Sequence, residues 1–246
     1  MIFLNHFSKA KAAVACLFIV LTFSPIISFC TCIVIKIYNN EIYVAADSKR
    51  TFANTGRPPQ TICKIHQIGR YHYAIAGHGD SSLYAIVKEV FRNNMSITEV
   101  LTAFGEYVKG AYIQEMSLKK SRDPKTYSYY LFNPLAQVAF FYQENNMAHI
   151  YTIEFKMTDN GQTHVEYIIL PEQPEALLGV ADHIYPISRY APSIEKYPNH
   201  FENFLRFLVE TEINYHGDHI GGPIDLLKIT PSGSEYWFTP QRKCPF

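Results

Sequence analysis

Two short β-branched runs, Cys32–Tyr38 and residues 41–46, meet at Asn39-Asn40. Asn tolerates positive φ, so this pattern predicts a tight hairpin and fixes the register of the first two strands. A second apolar pair, residues 62–68 and 71–76, surrounds Gly69-Arg70. Gly77-His78-Gly79-Asp80 then reads as a turn, with Asp80 or Ser81 capping a helix. Leu83, Ile86, Val87, Val90 and Phe91 recur at helical spacing. Ser96 or Thr98 starts a second helix carrying Val100, Leu101, Phe104, Val108 and Tyr112. Residues 119–125 are polar, end in Asp-Pro and read as a loop. Strand-like segments follow at 137–142, 148–155 and Thr163–Leu170, the last two joined by Asp159-Asn160-Gly161. Residues 177–180 are short and apolar, and 201–213 have helical spacing. Ile224–Ile229 and 236–239 close the chain as strands around Pro231-Ser232-Gly233. Blocks of strands around paired helices imply two stacked sheets covered by helices, an α+β layered domain.

The first thirty residues have a different character. Lys9 and Lys11 precede an almost wholly apolar run from Ala12 to Phe29, and small residues stand at Ser28 and Cys30. This is the layout of a secretory signal peptide. The expected division is therefore a signal peptide over 1–30 and one domain over 31–246, exported to the periplasm or secreted. The rival reading is an uncleaved anchor, but the run is close to the shortest that spans a bilayer and Pro25 disturbs it. Acylation of Cys30 fits poorly beside the bulky Phe29.

The remaining composition excludes several classes. Lys and Arg number 22 against 22 Asp and Glu, so the basic excess of a nucleic-acid binder is absent. Hydrophobic residues make up 48%, enough for a sizeable core. Five cysteines (Cys16, Cys30, Cys32, Cys63, Cys244) are too few for a disulfide scaffold and show no CxxC spacing. His78-Gly-Asp80 and His216-Gly-Asp218-His219 do not supply the three or four converging ligands of a zinc site, so no metal and no cofactor is expected.

Four segments in order carry a resemblance. Thr31-Cys-Ile-Val with its hairpin, and Ala45-Ala-Asp-Ser-Lys-Arg-Thr51, resemble the start of mature proteasome β-type subunits. Lys64-Ile-His-Gln-Ile68 is similar to that family's lysine segment. Ala76-Gly-His-Gly-Asp80 is similar to its glycine turn, and Asp218-His-Ile-Gly-Gly222 to its Asp-x-x-Ser-Gly-Gly motif. The resemblance implies a four-layer αββα N-terminal-nucleophile hydrolase fold. It also implies Thr31, Asp47 and Lys64 as the catalytic trio, with Asp47 sixteen positions after Thr31. Gly77 becomes the oxyanion donor, Asp218 and Lys49 supporting residues, and Arg50, Thr51 and Ile75 substrate-binding residues. Two family serines are replaced, one by Gly221 and the other by Val180.

The chemistry explains why a threonine would stand at a cleavage point. A threonine hydroxyl needs an adjacent base. An N-terminal threonine supplies its own, because its free α-amine has a pKa of about 7.7–8.0. Cleavage after Cys30 would create that base and expose the nucleophile together. Lys64 would favour the neutral amine and the developing alkoxide, and Asp47 would hold Lys64. The implied substrate is a peptide or small amide. A homo-oligomer is compatible with the resemblance, membrane contact is limited to the signal segment, and no ATPase partner is expected outside the cytoplasm. Alternatives are a small-substrate amidase, a Cys32 nucleophile after cleavage one residue later, or a non-catalytic binding module. A Cys32–Cys63 disulfide is expected on the face opposite Thr31 and Lys64.

Overall fold

The computed structural model describes residues 31–50, 58–188, 197 and 200–238. Strand β1 (Cys32–Tyr38) turns back into β2 (Glu41–Asp47) through Asn39 and Asn40, whose φ values are 51° and 61°. Both central residues have positive φ, as a two-residue hairpin loop that matches strand twist requires. The same device recurs at Asn145-Asn146 (φ 52° and 61°) between β7 (Ala136–Glu144) and β8 (Met147–Asp159). The sequence repeats the Asn-Asn pair there.

Two antiparallel five-stranded sheets form the centre. One has the order β10-β1-β2-β11-β12, with β10 at Glu175–Gly179, β11 at Ile224–Ile229 and β12 at Glu235–Trp237. The other has the order β5-β6-β7-β8-β9, with β5 at Ile65–Ile68, β6 at Tyr71–Gly77 and β9 at Thr163–Leu170. A small ribbon pairs β3 (Lys49–Arg50) with β4 (Gln60–Thr61).

The alternation of side chains assigns each residue to a layer. Ile33 and Ile35 of β1, with Val44 and Ala46 of β2, meet Ala74, Ala76, Ala139 and Phe141 between the sheets. Cys32, Val34 and Ala45 point the other way, onto helix α5 (Phe201–His216), through Phe204, Leu205 and Leu208. On the far side, Tyr73, Ile75, Phe140 and Phe155 pack under α1 (Asp80–Val90), α2 (Ile97–Arg122) and α3 (Pro124–Tyr130). A fourth helix, α4, is a short turn at Ile184–Ser188. The result is the expected αββα sandwich. Because both sheets are covered by helices and by each other, their central strands are largely apolar on both faces and do not alternate strictly with polar residues.

Two local expectations are corrected and a third, open between two residues, is resolved. Residues 119–125 are not a loop: α2 runs to Arg122, Asp123 caps α3 through Thr126, and Pro124 occupies the first turn where its missing N–H costs nothing. Helix α1 begins after Gly79 in the left-handed region (φ 69°), with no side-chain cap. At α2, Ser96 and not Thr98 is the cap, in a reciprocal capping box with Glu99. The apolar leader lies outside the described residues, and no helix among those described is long and apolar enough to cross a membrane.

Phe104 is fully buried and meets Phe140 and Phe155 edge-on. We expect Phe104→Ala to lower unfolding free energy by about 3–5 kcal/mol and Ser96→Ala by about 1 kcal/mol. Urea denaturation of the two variants measures both, and equal losses would contradict this core assignment.

Candidate active site

The hairpin brings the end of β2 back beside the start of β1, so Asp47 lies next to the Thr31–Cys32 peptide. Asp47 is fully buried and Lys64, just before β5, is 1% exposed. Lys64 Nζ donates to Asp47 Oδ1 at 2.7 Å. The same oxygen accepts the Cys32 backbone N–H at 2.7 Å, and Oδ2 accepts the Gly221 N–H at 3.1 Å. Removing two ions from water costs on the order of several kcal/mol each, so such a pair survives only when further hydrogen bonds satisfy it. Here one carboxylate gathers a cation and two backbone donors from three separate parts of the chain.

Thr31 is 4% exposed. Its carbonyl accepts the Val180 N–H at 2.8 Å and lies against Gly179. A Cβ on Gly179 would sit 2.0 Å from that oxygen, and its φ of 79° suits glycine independently. The Gly179 N–H is itself held by Gln137 Oε1 at 3.0 Å. Gly77 ends β6 at φ 143°, where a Cβ would meet the backbone of Leu135 and Ala136 at 2.5 Å. Its neighbour His78 turns to Glu115 at 2.6 Å, which holds the Glu115 carboxyl below its usual range.

The remaining residues named from sequence fall in different places. Lys49 donates from Nζ to the carbonyls of Gly217 and Asp218 at 2.6 and 3.0 Å, so Asp218 takes part through its backbone. Ser48 and Lys49 both donate backbone N–H groups to the Gly221 carbonyl. Arg50 lies on β3 opposite Gln60, and Thr51 is outside the described residues. Ile75 is corrected: it is fully buried in the core under α1 and α2, on the face of β6 opposite Ala74 and Ala76, and cannot line an open pocket.

The expected Cys32–Cys63 bond is also corrected. Cys32 is a free thiol and Cys63 is disulfide-bonded elsewhere. β1 and β5 are not paired but belong to different sheets; Cys32 faces α5 while Cys63 packs toward the space between the sheets. Burial, then the Asp47 and Glu212 carboxylates, push the Cys32 thiol well up, with Lys64 opposing. The Cys32 side chain lies in the core under α5.

Three contributors escaped the sequence reading. Gly221 does its work through its N–H, which replaces nothing and needs no hydroxyl. Gln137 and the approach of Gly179 to Thr31 depend on β10 crossing to β1, a pairing that no local pattern announces. A cleft of about 420 Å³ opens beside Gly179, with Gln137, Glu154, Glu175, Asp182 and Tyr185 on its walls. Among the described residues, the one convergent set of metal-ligand side chains is His183, Glu212 and His216.

No protein-family model and no curated protein matches the chain. Solved structures do. Thiobacillus denitrificans BPH, in complex with epoxomicin, is 14% identical, with a TM-score of 0.52 over 81% of this chain and 98% of that one. The Anbu Gly-1 mutant from Hyphomicrobium sp. strain MC1 is 13% identical, with a TM-score of 0.55 over 87% and 89%. Anbu, described as an ancestral β-subunit, from Yersinia bercovieri is 14% identical, with a TM-score of 0.53 over 86% and 88%. These likenesses show that the chain shares the αββα fold of those proteins.

Two outcomes follow from the geometry. Asp47→Ala strands a buried ammonium, and we expect a loss of about 3–5 kcal/mol in denaturant unfolding. Cys32 should resist alkylation by iodoacetamide at pH 8 in the native protein and react only in denaturant; equal labelling in both states would contradict its burial.

Proposed function

We propose that this chain is an exported threonine-type hydrolase of peptide or amide bonds, with Thr31 as nucleophile once residues 1–30 are removed. The observation that carries this reading is the buried Lys64–Asp47 pair, tied through the Cys32 N–H to the residue that follows Thr31. A lysine and an aspartate that served stability alone would gain as much from apolar replacements. A fixed cation beside a threonine amine has a chemical use.

The steps are ordinary acyl transfer. The Thr31 hydroxyl gives its proton to the freed α-amine, directly or through one water, and its oxygen bonds to the substrate carbonyl. Lys64 favours the neutral amine and stabilises the developing charge on oxygen. Asp47 holds the Lys64 ammonium in place through its hydrogen bond. The Gly77 N–H is the proposed donor to the oxyanion. The amine leaving group departs with a proton from the Thr31 ammonium, and water then hydrolyses the ester. The Val180 and Gly221 positions lack the family's serine hydroxyls, so proton handling rests on water and backbone.

The proteasome-like fold supports a peptidase in preference to an unrelated amidase, and the Thiobacillus protein's complex with epoxomicin supplies a first ligand to try. The Cys32 alternative is disfavoured by the placement of its sulfur under α5. A non-catalytic binding module would have no use for a desolvated lysine at this point. A homo-oligomer without an ATPase partner remains part of the proposal.

The decisive experiment is intact mass and N-terminal sequencing of the protein after export by its own leader. A chain starting at Thr31 that hydrolyses peptide substrates supports the reading. In that chain Thr31→Ala should abolish turnover, and Lys64→Met, if folded by circular dichroism, should lower kcat by about 10²–10³-fold. A mature chain starting upstream of Thr31 would overturn it.

A further inference from the structure

Glu212 is, with Asp225, one of the two fully buried carboxylates among the described residues that the proposed chemistry does not use. It lies on α5, one turn before His216, so the two side chains share a face of the helix. Its Oε1 is committed: it accepts the backbone N–H groups of His183 and Ile184 at 2.7 and 3.0 Å. Its Oε2 is turned toward two imidazoles, His183 Nδ1 at 3.1 Å and His216 Nε2 at 3.8 Å. The second distance is too long for a hydrogen bond, and His216 Nε2 is buried with no hydrogen-bond partner. A proton on His183 would satisfy one contact and leave the other nitrogen stranded.

We propose that His183, Glu212 and His216 form a binding site for a divalent transition-metal ion of the zinc type. All three ligand atoms lie within 4.8 Å of one another. Ligands at roughly 2.0–2.1 Å from a tetrahedral ion stand about 3.3 Å apart, and Glu212 Oε2 stands 3.1 and 3.8 Å from the two imidazole nitrogens. Two imidazoles with one carboxylate suit zinc and its neighbours and not calcium or magnesium. The outer contacts are those a metal site needs. Two backbone donors fix the carboxylate, and the His183 ring stacks flat on Tyr215 at 3.8 Å and 2°. The side chains of His183 and His216 are 37% and 24% exposed, which leaves an entry path and a solvent position for a fourth ligand.

The site's position gives it a role. His183 follows Val180, whose N–H holds the Thr31 carbonyl, and His216 precedes Gly221, whose N–H holds Asp47. An ion here pins together the two segments that clamp the candidate site, without touching the reacting atoms. It would act as a positioning brace. The sequence spreads these ligands over two segments, which is why none of its His-Gly-Asp patterns exposed the set; His78, for its part, is taken by Glu115.

The test uses the purified full chain, stripped with chelator and titrated with zinc. We expect about one equivalent bound per chain. At zinc about a hundredfold above its Kd, the midpoint should rise by roughly 5–10 °C. His183→Ala and His216→Ala should each weaken binding by about 10–100-fold or more. Cobalt titrated in place of zinc should give visible absorption bands of a four-coordinate site, which zinc then displaces. No uptake, no thermal shift, or unchanged affinity in both variants would overturn the proposal. Should a variant lose its helical signal, the cobalt spectrum of the unaltered chain decides: its absence counts against the site.

Discussion

The arrangement depends on one buried carboxylate. Asp47 touches Lys64, the peptide after Thr31 and the peptide at Gly221 together. Each of those groups comes from a different stretch of chain, and each gives Asp47 a hydrogen bond in the interior. Desolvation makes the pair expensive, and the same low-dielectric setting makes its loss more so. The β1–β2 hairpin is what delivers Asp47 to that point, Gly179 is what lets β10 come close to Thr31, and Gly221 takes a φ of 149° that suits glycine.

That convergence explains how a two-sheet sandwich can present a chemical site at one end. The cores between the sheets and under the helices are apolar and closed, holding strand ends in fixed positions. β10 pairs with β1 on one side and β11 with β2 on the other. The loops after β10 and before β11 therefore flank the hairpin's open end from both sides. Helix α5 links those loops, and the Lys49 ammonium clamps its C-terminal carbonyls. The candidate metal ligands sit on this same linking element. Site and brace thus share one support.

Much of this was legible in the chain. The Asn39-Asn40 turn, the strand at Thr163–Leu170 and the helix under Phe204 and Leu208 follow from local rules of turn chemistry and periodicity, which need no partner. The family resemblance, through ordered motifs with fixed spacing, singled out Asp47 and Lys64, which the fold brings together beside the Thr31–Cys32 peptide. The helix over 119–122 was missed because a polar, exposed last turn has no apolar stripe to reveal it. Ile75 and the cysteine pairing were misplaced because the face a strand residue takes depends on which sheet its strand joins.

The sequence by itself determined most of the elements and their order, because propensity, alternation and turn residues act over a few positions, while Asp47 and Lys64 stood out only through the family resemblance. Only the tertiary structure decided which layer each strand face meets, that Gly221 and Val180 hold the site through backbone N–H groups, and that His183 comes to Glu212 and His216. Those are long-range pairings. They are set by how two twisted sheets bury their faces against each other and against α5, and no short stretch of sequence carries that information.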